Sequence, residues 1–238
     1  MNAFARELSQ PTSAREVRER LADASLVGNP DRPIRAIGAL SSQAADVLAF
    51  CDAPATRERI AGSHPSVVVV PKSSAAPDSE RTLIGVDDVR AAFIDLVDAL
   101  LPGSARPLDP APGIDPRANV DASAAVSPLA CIGANVQIGA RTRIAPGAIV
   151  YDDTWIGADC VVGANAVIGW VGLAYHDRAD GRRSFFPHLA GVRIADRVDV
   201  GAQACVCRGM LSHTLIGDDV KVGSLVYVSH GVVVAPRA

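Results

Sequence analysis

Between Ile114 and Ile168 every sixth residue is β-branched and aliphatic: Ile114, Val120, Val126, Ile132, Ile138, Ile144, Val150, Ile156, Val162 and Ile168. A six-residue period fits neither an amphipathic helix at 3.6 nor an alternating strand at 2. It is the period of a hexapeptide parallel β-helix, in which each hexad is a short strand plus a corner and three hexads complete a triangular coil. The aliphatic side chain points into the prism. Glycine follows directly at Gly133, Gly139, Gly157, Gly163 and Gly169, where the expected role is a tight corner with positive φ. The beat returns as Ile194, Val200 and Val206, then Ile216, Val222, Val228 and Val234. The longer step between Val206 and Ile216 predicts a bulge over Arg208 to Leu211. Between Ile168 and Ile194 the beat stops, and residues 170–187 read as a long loop leaving the prism, a kind of segment that often carries function. Seventeen hexads amount to between five and six coils.

Residues 1–110 lack this repeat. Ser13 with Glu16 three positions later predicts a capping box and a helix through Asp23. Strands are expected at Ile34 to Ile37, Val47 to Phe50, Ser66 to Val70 and Leu83 to Val86. Asp87 or Asp88 caps a helix with the apolar face Val89, Ala92, Phe93, Leu96, Val97 and Leu100, and Pro102-Gly103 stops it. The proline-rich stretch Pro102 to Pro116 reads as a linker. The expected fold is therefore α+β: a small α/β domain over 1–110, then a left-handed parallel β-helix over 111–238 with a protruding loop at about 170–190.

The 238 residues carry a net charge of −3, which excludes a basic surface for nucleic acid or anionic membrane. The longest apolar runs, such as Val67 to Val70, are too short to span a bilayer. Met1 to Gln10 contains Arg6 and Glu7 and lacks the apolar core of a signal peptide. Five cysteines without metal-type spacing suit a reducing compartment, so a cytoplasmic location is expected.

A small α/β module ahead of a hexapeptide prism resembles the UDP-3-O-acylglucosamine N-acyltransferase family of lipid A biosynthesis. Gly38-Ala39-Leu40-Ser41-Ser42 through Val47-Leu48-Ala49-Phe50 is similar to the start of that family's uridine-binding domain. The segments from Val192 to Ala202, Cys207 to Met210 and Thr214 to Gly217 resemble stretches of its prism. Gly172-Leu173-Ala174-Tyr175 falls where the family has a Gly-aromatic-Gly-Tyr motif, and Val228-Ser229-His230 where it has its catalytic histidine. The resemblance implies a homotrimer with active sites between neighbouring prisms. It implies an acyl group passed from acyl carrier protein or CoA to the amine of a UDP-linked amino sugar. His230 would be the general base, and Phe50 the aromatic that stacks on the base. Gly172, Tyr175 and His188 are the remaining candidate substrate-binding residues. No bound cofactor and no metal are expected; the acyl thioester is a donor substrate.

The chain departs from the family at polar positions. Gly223-Ser224 stand where an Asp-Asn pair precedes the histidine, Gly231 where an Asn follows it, and Ala53 where an Asn would contact the nucleotide. Val171 and Cys207 replace acidic residues. Asp218 and Asp219 are candidates to supply the missing carboxylate. Similar enzymes also continue for several more hexads, with a second functional histidine and closing helices. Two other readings stay open: an acetyl-CoA-dependent hexapeptide acetyltransferase on another small acceptor, and a non-catalytic trimeric relative. A zinc site of the γ-carbonic anhydrase kind is not expected, because His176, His188, His213 and His230 lack its His-x4-His pair. Cys205 and Cys207 are expected as ordinary thiols.

Overall fold

The computed structural model describes residues 4–53, 56–78, 80–104 and 109–238. Parts of the expected linker and of the N-terminal stretch, residues 105–108 and 1–3, lie outside the described residues. The chain divides into two compact units, Met1–Ala105 with Leu173–Pro187, and Arg106–Gly172 with His188–Ala238. The segment expected as a loop of the prism thus groups in its middle part with the N-terminal unit.

That unit is a six-stranded sheet of β1 (Ala5–Ser13), β2 (Ser25–Val27), β3 (Pro33–Gly38), β4 (Val47–Phe50), β5 (Val67–Pro71) and β6 (Thr82–Val86). The order is β1-β3-β4-β5-β6-β2. β3 to β6 are parallel, and β1 and β2 close the two edges antiparallel. The central strands are valine-rich and buried, as a parallel sheet covered on its faces requires. Helix α1 (Ala14–Glu19) starts in the expected capping box: the Glu16 N–H donates to the Ser13 hydroxyl, and the Ser13 N–H to the Glu16 carboxylate. It ends sooner than expected. A short helix α2 (Thr56–Ala61) and both edge strands had no clear period in the sequence. Helix α3 (Val89–Leu100) is capped by Asp88, whose carboxylate accepts from the Ala91 N–H, and it buries Phe93, Leu96 and Val97.

Leu173–Pro187 contributes an antiparallel hairpin, Tyr175–Asp177 against Arg183–Phe185. An imidazole–carboxylate hydrogen bond and an ion pair tie it to α3 and its cap. His176 Nε2 lies 2.9 and 2.8 Å from the Asp88 oxygens, and Arg178 grips Asp95 with two bonds of 3.0 and 2.6 Å. Phe186 joins Phe50 and Phe93 in one ring cluster, with centroids 4.6 to 6.0 Å apart. Charge pairing and aromatic burial together explain why this segment leaves the prism for the other unit.

The second unit is the prism. Three parallel sheets form its faces. The first contains Cys131–Ile132, Ile149–Val150, Val167–Ile168, Cys205–Val206 and Tyr227–Val228; the second runs through Gln137–Ile138, Trp155–Ile156 and Val192–Ile194; the third through Arg143–Ile144 and Val161–Val162. Pairing is in register, Ile132 beside Val150 and Ile138 beside Ile156, so the repeated aliphatic residues stack on one another. From Ile132 on they form one continuous core, with Ile132, Val150, Ile156, Ile168 and Val206 fully buried, Val120 and Val126 packed partly buried against it, and Ile114 of the first strand 50% exposed. Each such side chain contributes roughly 1.5–3 kcal/mol relative to exposure. The interruptions keep the register: Ile156 pairs with Ile194 across the long excursion, and Val206 with Val228 across the short one.

Four of the five corner glycines play a different part from the one expected; Gly169, at φ 91°, has the expected left-handed backbone. At many corners positive φ falls instead on the third residue after the aliphatic position: Asn135, Arg141, Asp153, Asp159, Asn165, Arg197 and Gln203 take φ of 56 to 59°, the left-handed region that tight turns use. Gly139 and Gly163 are needed for space instead. A Cβ on either would lie 2.6 Å from backbone of the next coil. In the first coil Asp115 and Asp121 make the corner by accepting the N–H two residues on, both at 2.8 Å. One prism edge also carries an alternating charge ladder, in which Arg141 bonds Asp159 twice at 2.6 Å and Arg197 faces Asp218 at 3.6 Å.

Candidate active site

Both interruptions leave the prism at the same edge. Each follows a strand of the first sheet and precedes a strand of the second, and His230 stands at the corner after Tyr227–Val228 on that same edge. Three consecutive coils therefore present 169–172 with 188–191, then 207–213, then 229–232 side by side. This is geometry that six-residue counting alone produces.

His188 and His230 meet there. Their ring centroids are 5.0 Å apart and the planes are nearly perpendicular at 89°. His188 is buried, whereas His230 is half-buried. Gly172 lies against both rings. A Cβ at this position would sit 2.6 Å from His230 Cδ2 and 3.3 Å from His188 Nε2, so only glycine leaves room for the pair. Thr214 Oγ1 accepts the N–H of Gly231 at 2.9 Å and holds the backbone of the corner next to His230. With His230 as the base that the sequence resemblance implies, Gly172→Ala is expected to push the His230 ring aside and lower acyl transfer between about ten- and a hundredfold, the cost of misplacing a reacting group by about an ångström. Steady-state kinetics at unchanged thermal stability check this.

Around the pair, the edge is built from buried polar groups. Arg208 is 2% exposed; its Nε donates to the Ala190 carbonyl at 2.8 Å and its guanidinium stands 3.6 Å from Asp153. Arg193 donates to the Asp153 carbonyl at 2.9 Å, and burial lowers its pKa. His213, within the short excursion, accepts the Gly191 N–H on Nδ1 at 3.0 Å. Burial, and then the positive charge of Arg193, lower its pKa from 6.5 to about 4, so it is a neutral imidazole at neutral pH. The unfolded chain then takes up this proton first as pH falls. The stability His213 contributes is full above about pH 6.5 and is lost as pH drops through about 4. Thermal melts between pH 7 and 4 should fall more steeply for the native chain than for His213→Gln.

The stretch expected to bulge, 208–211, does leave the prism, and its first half also braces the edge: Arg208 and Gly209 are buried, Met210 and Leu211 half-buried. Tyr151 packs on Trp170 at 4.9 Å, and its hydroxyl donates to Asp109 at 2.9 Å. Asp218 and Asp219 do not supply the carboxylate that the sequence offered them for. They follow a strand of the second sheet, on another edge, and face Arg197 and Lys221. Gly223 and Ser224 lie on the third edge of this chain. Of the other candidate residues, Phe50 and Tyr175 belong to the N-terminal unit. Phe50 is half-buried at the carboxyl end of β4, in the ring cluster with Phe93 and Phe186. Tyr175 is 49% exposed, edge-on to Phe185 at 5.6 Å. Among the described residues, no group of three or more His, Cys, Asp or Glu side chains is placed to hold a metal ion. No helix among them is long and apolar enough to cross a membrane.

Residues 132–169 match the family described as bacterial transferase hexapeptide (six repeats). Short stretches are similar to curated UDP-3-O-acylglucosamine N-acyltransferases. The enzyme of Delftia acidovorans is 48% identical over 44 residues, 18% of this chain and 13% of that protein. That of Leptothrix cholodnii is 39% identical over 61 residues, 26% and 17%. A probable mitochondrial UDP-3-O-acylglucosamine N-acyltransferase of Arabidopsis thaliana is 33% identical over 66 residues, 28% and 22%. The matched stretches span less than a quarter of the length of these relatives. The crystal structure of a UDP-N-acetylglucosamine O-acyltransferase from Moraxella catarrhalis is similar at 22% identity and TM-score 0.24, over 51% of this chain and 48% of that one.

Proposed function

We propose that the chain is an acyltransferase that moves an acyl group from a thioester of acyl carrier protein or CoA to the amine of a UDP-linked amino sugar. The observation that carries this reading is the imidazole pair on Gly172, at a prism edge, in a chain similar over short stretches to sugar N-acyltransferases. An ammonium has no lone pair, so a base must take its proton before or during attack on the thioester carbonyl. His230, half-buried and at the corner, is that base. His188, buried behind Gly172, sets the position of the first ring and borders the acceptor. The oxyanion of the tetrahedral intermediate requires an N–H donor, which corner backbone of a neighbouring coil can supply. In the N-terminal unit, the part of the Phe50 ring left outside its cluster is the surface for a uracil base, and exposed Tyr175 is a second aromatic contact. A homotrimer accounts for the apolar residues outside the prism, of which Trp155 and Val161 are 44% and 41% exposed.

The test is calorimetric titration of the purified chain with UDP-N-acetylglucosamine and, separately, acetyl-CoA. Binding of the nucleotide sugar is the expected result. Binding of acetyl-CoA alone would replace the proposal by an acetyltransferase on another small acceptor. Binding of neither would leave a non-catalytic relative.

A further inference from the structure

We propose that Cys205 and Cys207 form a redox-active dithiol, a modification site for low-molecular-weight disulfides beside the edge that carries His230. The two Sγ atoms are 4.0 Å apart. Cys205 faces outward from a strand of the first sheet and is half-buried; Cys207 opens the short excursion and is 1% exposed. Tyr227 lies beside Cys205 in the next coil, in register with it. A thiolate formed in this pair accepts the remaining S–H and the Tyr227 hydroxyl. Those two hydrogen bonds, the S–H first, pull the Cys207 thiol below its usual value despite burial, and the second proton is correspondingly harder to remove. The contrast with Cys160 is direct. That thiol is buried, its Sγ is 3.1 Å from the Ala195 carbonyl, and burial pushes its pKa up, the environment of an inert cysteine.

The chemistry is thiol–disulfide exchange. The thiolate attacks one sulfur of a small disulfide R–S–S–R; that S–S bond breaks and R–S⁻ leaves, taking up the proton lost in forming the thiolate. The second cysteine then gives up its proton and attacks the protein sulfur of the mixed disulfide, expelling another R–S⁻. Two protein thiols are oxidised and one small disulfide is reduced to two thiols. Closing 4.0 Å to the S–S bond length of about 2.05 Å takes side-chain rotation at the pair, whose Cys207 sulfur now lies 3.9 Å from the Val171 carbonyl. Val171 precedes Gly172, on which both imidazoles rest, and the Arg208 N–H donates to the Trp170 carbonyl at 2.8 Å. The oxidation state of the dithiol is therefore felt at His188 and His230.

The experiment uses the full chain and oxidised glutathione, and reads intact mass, free thiols and histidine ring resonances. The expected product is two hydrogens lighter, with free thiols falling from five to three, a Cys205–Cys207 bond in the peptide map, and reversal by dithiothreitol. Cys207→Ser should stop at a stable glutathione adduct on half-buried Cys205, whereas Cys205→Ser leaves only the 1% exposed Cys207 of the pair and should take up little. Five retained thiols, an adduct on the native chain that never resolves, or a bond to Cys131 would overturn the proposal. A formed disulfide that leaves the His188 and His230 resonances unmoved would overturn their coupling to it. None of these readouts depends on acyl transfer.

Discussion

His230→Ala is expected to lower acyl transfer by at least about a hundredfold, the low end for loss of a general base. The loss should appear mainly in kcat, because in the proposed mechanism the imidazole acts as the ammonium gives up its proton and contributes little to holding the ground state. The ring is removed from a half-buried corner whose backbone is held by Thr214, so the fold should survive the change and the thermal melt should barely move. His230→Gln supplies the control, keeping hydrogen bonding and bulk but no basic nitrogen, and should be as slow as the alanine variant. A near-normal rate for either would remove His230 from the mechanism and turn attention to His188. Since His188 is 1% exposed and packed edge-on against the first ring, its replacement should act differently, lowering activity with a loss of stability as well.

The second large effect concerns the prism core. Ile156→Ala is expected to destabilise the second unit by about 3 kcal/mol, within the range for isoleucine truncation in a close-packed core. Ile156 is fully buried and stacked between Ile138 and Ile194 by in-register pairing on both sides. The three sheets around it are tied by backbone hydrogen bonds, for example Gly139 N–H to the Ile156 carbonyl at 2.9 Å and Gly157 N–H to that of Ile194 at 2.9 Å. Such walls collapse poorly around a cavity, which places the cost above the low end of the range. Urea unfolding followed by hydrogen exchange along the coils gives the measurement, because repeat units unfold by neighbour and not all at once. Val161→Ala, on an outward position 41% exposed, should stay within about 0.5 kcal/mol. Equal losses at the two positions would mean that the aliphatic column does not carry the stability of the prism.

The prism was legible because its core is written locally. One inward side chain per hexad, repeated without exception from Ile114 to Ile168, leaves a single way to bury that column, and the pairing Ile132 to Val150 follows from counting eighteen residues. The strands of the N-terminal sheet, such as Val47–Phe50, and the cap at Asp88 were legible for a similar reason. Edge strands β1 and β2 were not, since an edge needs no apolar alternation when a neighbour supplies its hydrogen bonds. Apart from Gly169, whose φ of 91° is the expected one, the corner glycines carried the right residue for a different cause. Their missing Cβ serves the coil stacked on them, a contact made by residues eighteen or more positions away.

At the candidate site, the sequence by itself determined that His230 stands at a corner and that two segments leave the prism. Counting hexads in threes would also have put both departures on one edge. Only the tertiary structure decided that His188 returns from the excursion to face His230, that Gly172 separates them, and that Asp218 and Asp219 lie on a different edge. It likewise sent residues 173–187 to the N-terminal unit, where His176 meets Asp88 and Arg178 meets Asp95. The physical reason is the same in each case. A repeating apolar column is satisfied by neighbours at fixed sequence distance, whereas a charge pair, an imidazole contact or a dithiol is satisfied by whatever side chain the closed coils bring within about 4 Å.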